Sequence, residues 1–502
     1  MKKISTLILS ALTAMAAQAT DYNVPITITV NGETSEQSAV ISIEESNGLY
    51  DLTLKNFVLQ SEDGPMGVGN VELKGIEPCK DGDATLLLTN QTITISDGDD
   101  PSVPFWMATI LPPVPVDLRA KIDGEHLRCY IDINLTETLG QVIQVAIGQG
   151  YQIPNASFEA WHTSTGQYEE PNAWHSFESA SGALAALAGH HITKSDDAHT
   201  GKASARIYAT SIFGIVANGT MTTGRMNAGS MSATDKQNHA YLDTSMADTD
   251  GNGDPYYTPI YSRPDSVAVW VKFNQGKANS SHPYATISAV ITDGTFYQDP
   301  EDKEYTNVVA RAKNATITAT GDQWVRVTAP FVYTDNAVEP KAALITISTN
   351  ADPGQGSAND EVLADDIELI YNAKVSAIKI QGNDVPGFSA DTHEYEMELN
   401  KGIAADDIEV VTDGKAANIA KTVELKDDNR YVCTIVALSA DMSAKSTYVI
   451  NVKSVTTICD LMTAADQPDT FFTLDGRQVR TLAPGKIYVC RKADGTTAKI
   501  RR

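Results

Sequence analysis

Apolar and polar residues alternate with a period of two along much of this chain. Val24, Ile26, Ile28 and Val30 form one such row, closed by the turn pair Asn31-Gly32. Leu127, Cys129, Ile131, Ile133 and Leu135 form another. Successive side chains of a strand point to opposite faces, so rows like these bury one face of a sheet. Leu52 and Leu54 continue the theme, and Phe57 and Leu59 then change parity, as a β-bulge requires. Ser181 to His190, rich in Ala and Leu, is the one short helix expected, inside a loop. Strands at this spacing without helices between them predict antiparallel barrels and sandwiches, an all-β chain.

Size and charge narrow the function. A chain of 502 residues predicts about three domains. Hydrophobic content of 42% suffices for several cores. The formal charge of −26 argues against nucleic acid, and against strongly anionic polysaccharides unless a local basic patch overrides the mean. Acidic loops suit calcium, although solubility alone also accounts for the charge.

The N-terminus reads as a signal peptide over residues 1–19. Lys2 and Lys3 precede the apolar run Ile4 to Ala16, and Ala17-Gln-Ala19 supplies the cleavage site. The mature chain is expected to have no transmembrane span, because its most apolar stretch, Val103 to Val116, is broken by Pro104, Pro112, Pro113 and Pro115. Five cysteines are few for an exported chain, so hydrophobic cores must carry the fold. Cys129, on the apolar face of its strand, reads as a buried thiol rather than a bridge to Cys79, and Cys459 and Cys490 are placed to pair in the tail.

Four modules are expected after the signal. Residues 20–149, through Leu49-Tyr-Asp-Leu-Thr-Leu-Lys-Asn-Phe57, Gly69-Asn-Val-Glu-Leu73 and His126-Leu-Arg-Cys-Tyr-Ile-Asp-Ile133, resemble the calycin-like β-barrel domain of exported Bacteroidota proteins. That likeness implies a barrel, with Phe105-Trp106-Met107 either lining a ligand cavity or packing in the ordinary way.

Residues 150–373 are similar to a carbohydrate-binding β-jelly-roll. The likeness rests on Pro154-Asn-Ala-Ser-Phe-Glu159, on Pro171-Asn-Ala-Trp174 and on Leu363-Ala-Asp-Asp-Ile-Glu-Leu369. With Tyr261-Ser-Arg-Pro-Asp-Ser-Val-Ala-Val-Trp-Val-Lys-Phe273 the module most resembles the carbohydrate-metabolism domain of Bacteroidota secreted proteins. Residues 374–454, through Val375-Ser-Ala-Ile-Lys-Ile380, Phe388-Ser389 and Tyr395, resemble a cadherin-like, immunoglobulin-type sandwich, which implies a spacer. Residues 455–502, with Phe472-Thr-Leu-Asp-Gly-Arg477 and Ala483-Pro-Gly-Lys-Ile-Tyr-Val489, resemble a type IX secretion sorting tail. Asp475-Gly476 and Asp494-Gly495 are hairpin signals there.

The jelly-roll likeness carries a metal expectation. In such families an opening Glu, a turn and a closing-strand Asp hold a structural calcium. The matching positions here are Glu159, Thr200 within Asp196-Asp-Ala-His-Thr-Gly-Lys202, and Asp365 or Asp366. Strand parity places Leu363, Asp365, Ile367, Leu369 and Tyr371 on one face, so a carboxylate would stand in an apolar row. A hydrogen-bonded Asp without metal is the alternative.

Sugar recognition in such folds stacks aromatic faces on the ring. Trp161, Trp174, Tyr256, Tyr257 and Tyr261 are the candidates, and for each taken alone packing is the competing role. Trp270 reads as near core and Trp324 as core. Asp248-Thr-Asp-Gly-Asn-Gly-Asp254 starts like a calcium loop, but Pro259 stands where the bidentate Glu belongs, so an acidic turn is the expected reading.

No nucleophile elbow, zinc-protease helix or phosphate loop is present. Glu169, Glu170, Asp243 and Asp254 are the loop carboxylates a glycosidase would draw on. The expectation is an exported protein that binds polysaccharide or oligosaccharide without cutting it, secreted or held at the outer-membrane surface, with the secretion machinery as a second partner. It would be periplasmic if the tail is no sorting signal. A glycoside hydrolase and an adhesive surface protein are the alternatives.

Overall fold

In the computed structural model, described over residues 18–31, 33–60, 64–164, 168–334, 337–399, 402–413, 417–427, 429–454, 470–491 and 496–501, the chain is almost wholly β. The expected signal peptide lies outside those residues apart from its last two, and so do Cys459 and Asp494-Gly495. Among the described residues, no helix is long and apolar enough to cross a membrane.

Two compact units form. One holds the chain up to Val375 together with Thr412–Ala420 and Val436–Ser446. The other holds Ser376–Val411, Lys421–Ile435 and the chain from Thr447 onward. The stretch expected to be a separate spacer is therefore divided between them. Leu438, Met442 and Ala420 pack against Leu86 in the larger unit, and Ala440 joins its sandwich core.

The larger unit opens with nine antiparallel strands: β1 Gln18–Val30, β2 Glu33–Ser46, β3 Leu49–Leu59, β4 Met66–Ile76, β5 Pro78–Asp81, β6 Ala84–Ile93, β7 Val114–Asp123, β8 His126–Leu135 and β9 Gln141–Ile147. Their order is β4-β3-β2-β1-β9-β8-β7-β6-β5, so the first and last strands meet mid-sheet. The sheet curls into a half-barrel around Ile26, Ile28, Ile41, Leu52, Leu73, Leu118, Leu127 and Cys129. The parity change after Leu54 is a bulge: the β3–β4 register shifts there and Asn56 takes φ 50°. Cys129 is fully buried, which pushes its thiol up to about 12. Trp106 lies over Gly67 and Gly98, where any Cβ would strike its ring, so it packs at the sheet rim.

A two-sheet sandwich follows. One sheet runs Ile192–Ser195, Ser204–Tyr208, Glu361–Ile370, Ser266–Asn274, Val325–Pro330. The other runs Thr220–Thr222, Ala342–Ser348, Ala285–Thr292, Val308–Ile317, Val332–Tyr333. Val267, Val269, Val271 and Phe273 face Ile287, Ala289, Ile291, Ile345 and Ile347 across the core. Each large aliphatic side chain buried this way contributes about 1.5–3 kcal/mol. The expected helix near Ser181 is only a 3₁₀ turn, Ala185–Leu187.

In the smaller unit, Glu394–Leu399 buries Tyr395, Met397 and Leu399 and exposes the three glutamates, as the alternation predicts. It runs parallel to residues 449–454. The tail is a four-stranded sheet of Gln478–Val479, Thr470–Thr473, Ile487–Arg491 and Thr497–Arg501, with Tyr488, Cys490 and Ile500 buried. Gly476, at φ 85°, makes the expected turn.

Candidate functional site

The opening segment and the closing strand of the sandwich meet at one turn, residues 196–202. Glu159 Oε1 accepts the amides of Lys202 at 2.8 Å and Ala203 at 3.0 Å. Gly201 (φ 66°) is required there, because a Cβ would lie 2.2 Å from that oxygen. Asp365 Oδ2 accepts the amides of His199 at 2.7 Å and Thr200 at 3.3 Å, and its Oδ1 takes the Asp366 amide at 2.9 Å. The Asp366 carboxylate accepts the Thr200 hydroxyl at 2.8 Å and lies 2.6 Å from His199 Nδ1. The turn thus joins all four expected ligands. Amide hydrogens meet both Asp365 oxygens and Glu159 Oε1, so hydrogen bonds latch the turn.

The expected parity of the closing strand is also revised. Asp366 takes φ 43°, and the pairing with Ser266–Asn274 shifts register between Ala268 and Trp270. This bulge flips the alternation. Val362 and Ala364 face the core before it, and Ile367 and Leu369 after it. Asp365 therefore points outward, away from the apolar row, and is buried beneath the turn rather than in the core.

Burial, with Asp366 beside it, pushes the Asp365 carboxyl up to about 7, against the three amides that favour its charged form. An unfolded carboxyl releases its proton near pH 4, while this one holds it to about 7. The stabilisation is complete below about pH 4 and is lost as pH rises through about 7, at no more than about 1.4 kcal/mol per pH unit. Relative to Asp365→Asn, the wild type is expected to lose thermal stability between pH 4 and 7. Parallel melting curves that hold a constant gap across that range would show that Asp365 titrates normally.

The five aromatic candidates scatter. Trp174 is fully buried, packs on Phe158 with ring centroids 5.2 Å apart, and directs its Nε1–H at the Pro154 carbonyl. No sugar can reach its faces, so its assignment as a platform is corrected to core. Trp161 is half-buried against the same core and donates to the Phe158 carbonyl at 2.6 Å. Tyr261 stacks on His126 at 4.6 Å and fills the space that Gly150 leaves. Trp270 and Trp324, expected in or near the core, instead lie on the outer sheet face: His199 stacks on Trp270 at 3.8 Å, and Lys272 sits over Trp324 at 5.3 Å.

Tyr256 and Tyr257 do share a site. With Arg225, Tyr241, Asp243, Met246 and Asp248 they line a small depression with room for about one water molecule. Tyr256 is buried between Arg225, whose guanidinium carbon is 4.7 Å from its ring centre, and His175, at 4.6 Å. Burial pushes its hydroxyl up to about 12. Arg225 also pairs with Asp248. The half-buried Tyr257 is the least enclosed of the two. The depression thus combines aromatic surface with a guanidinium and two carboxylates, groups able to hold hydroxyls.

A second, open concavity of about 530 Å³ is lined by Thr193, Lys194, Ser195, Asp196, Lys202 and Arg206, a local basic patch on an acidic chain. It has no aromatic lining. Of the glycosidase candidates, Glu170 is fully buried, its Oε1 accepting from the Ser176 amide and hydroxyl, and Asp254 accepts the Ala173 amide at 2.8 Å. Neither is a free loop carboxylate. The sequence reading missed His162, His175 and His199. Their neighbours are 70 to 170 residues away, and only the adjacency of His162 and His175 to the quoted opening motifs gave a hint.

None of the curated proteins matches the chain. Among solved structures, the M60 catalytic domain with the CBM51-1 and CBM51-2 domains from Clostridium perfringens ZmpB is 12% identical, with a TM-score of 0.15, covering 96% of this chain and 44% of that one. The chain thus spans less than half of that protein's length. PNGF-II is 8% identical, with a TM-score of 0.14, covering 70% of this chain and 68% of the other. Scores this low carry no argument. The half-barrel has a family likeness of its own: residues 19–147 match the model of the calycin-like β-barrel domain.

Proposed function

We propose that this chain is an exported carbohydrate-binding protein that recognises polysaccharide without cutting it, through the sandwich depression bounded by Tyr256 and Tyr257. The observation that carries the reading is the lining itself. Tyrosine surface lies beside Arg225, Asp243 and Asp248, an apolar wall next to groups that bond hydroxyls. Export rests on the signal-like N-terminus and delivery to the surface on the sorting-like tail, both read from sequence.

Affinity electrophoresis on a panel of plant and host glycans tests this. Wild-type protein is expected to be retarded on at least one glycan. Tyr257→Ala should weaken that retention about tenfold, equivalent to about 1.4 kcal/mol, with the melting temperature held within a few degrees. Unchanged mobility on every glycan favours the adhesive reading. Release of reducing ends that disappears in Asp243→Asn favours hydrolysis.

A further inference from the structure

Side chains from separate segments bring acceptor atoms together behind Tyr256, with Asp250 Oδ2 lying between those of His162 and His175. His162 sits on the short hairpin strand Trp161–Thr163, paired with Glu169–Pro171. His175 follows Trp174 and is bridged to Thr222 by two backbone hydrogen bonds. Asp250 lies in the Asp248-Thr-Asp-Gly-Asn-Gly-Asp254 loop. Its Oδ1 accepts the amides of Asn252 and Asp254, which turns Oδ2 inward.

The outer partners favour one tautomer of each ring. A backbone carbonyl has no hydrogen to give, so a neutral His175 donates from Nε2 to the Pro255 carbonyl, 3.3 Å away, and Nδ1 carries the lone pair. His162 Nδ1 lies 3.1 Å from the Asn172 side-chain oxygen, and the tautomer that donates to it leaves the lone pair on Nε2. These bare nitrogens lie 3.4 Å (His162) and 3.5 Å (His175) from Asp250 Oδ2. All three atoms are buried without a hydrogen-bond partner, and the side chains of His175 and Asp250 are fully enclosed. Asp250 Oδ2 then faces a ring lone pair on either side with no proton between them, and burial makes that arrangement costly unless a cation sits among them. A histidine that gives its other ring hydrogen to a carbonyl is also the usual orientation of a metal ligand.

We propose that His162 Nε2, Asp250 Oδ2 and an Asp254 carboxylate oxygen bind a divalent transition-metal ion, zinc by preference, with His175 Nδ1 drawn in as the fourth ligand. The ligand atoms of His162, Asp250 and Asp254 all fall within 4.8 Å of one another. The 3.4 Å from His162 Nε2 to Asp250 Oδ2 matches the edge of a tetrahedron, about 3.3 Å when metal–ligand bonds are about 2.0–2.1 Å, and His175 Nδ1 lies 3.5 Å from the same oxygen. Two imidazoles select against calcium, a hard ion that prefers oxygen, so the calcium-like loop contributes two ligands to a different metal. Glu170, opposite His162 in the hairpin, is buried with Oε2 unpartnered. The ion ties the 248–254 loop to the opening segment. It thereby fixes Tyr256, which packs on His175, and gives the depression its inner wall. This assignment does not depend on the sugar reading.

The test uses the full-length chain stripped with EDTA and titrated calorimetrically with Zn2+, with Ca2+ as the control. One equivalent of Zn2+ is expected to bind at least about 100-fold more tightly than Ca2+ and to raise the melting temperature. Co2+ should give the intense visible bands of a four-coordinate site. His162→Gln, at the less enclosed of the two histidines, should weaken Zn2+ binding at least about 100-fold. His175→Gln should do the same if it folds. Zn2+ affinity equal in wild type and His162→Gln, or no uptake by the wild type, overturns the proposal.

Discussion

Trp174→Ala is expected to lower the unfolding free energy of the larger unit by about 3–5 kcal/mol, the usual loss when a large buried aromatic leaves a cavity. The indole is fully buried in the sandwich core beside Phe158, and its N–H is already committed to the Pro154 carbonyl. The neighbouring His175 amide and carbonyl are both bonded to Thr222, so the backbone cannot easily collapse into the void. Urea denaturation followed by circular dichroism measures the loss. A drop below about 1 kcal/mol, together with abolished glycan retention, would mean that the ring is a binding platform after all.

Arg128→Ala should be comparably damaging, at about 3–5 kcal/mol. Its guanidinium donates to the Ile147 carbonyl at 2.7 Å and to the Asp441 carbonyl at 2.9 Å from one nitrogen and 3.2 Å from another. It also sits 5.4 Å from the centre of the Tyr151 ring. Burial disfavours its charge and pulls its pKa down, while Asp441 nearby favours it. Truncation strips the carbonyls of their donors and leaves Asp441, itself buried, short of a counter-charge. Arg128→Lys keeps the charge but loses the fork, so it should recover only part of the loss. Equal urea midpoints for wild type and Arg128→Ala would show that the clamp contributes nothing. Arg119 makes a similar reach, donating to the carbonyls of Met442 and Ser443 at 2.8 and 2.9 Å. This is why Val436–Ser446 belongs to the larger unit although its sequence reads as the next module.

Much of the architecture was legible because strand periodicity is local. The rows at Val24 to Val30 and Leu127 to Leu135, the bulge after Leu54 and the glutamate-faced strand Glu394–Leu399 all follow from residues two apart. Two errors have local causes as well. A single bulge residue, Asp366, reversed the inferred faces of the closing strand, since one added residue moves every later side chain to the other side. Trp174 read as a platform because an aromatic in a Pro/Asn-rich segment has no periodic neighbours to mark it as buried.

By itself, then, the sequence determined the β character of the chain, the alternating faces of its strands and the tight turns at Gly201 and at Asp248 to Asp254. Those depend on backbone sterics and on neighbours a few residues away. Only the tertiary structure decided that Asp365 lies under a turn 165 residues earlier, and that His162 and His175 meet Asp250. Such contacts are set by how two sheets and their loops pack, and the spacing of residues along one strand holds no record of what lands opposite it.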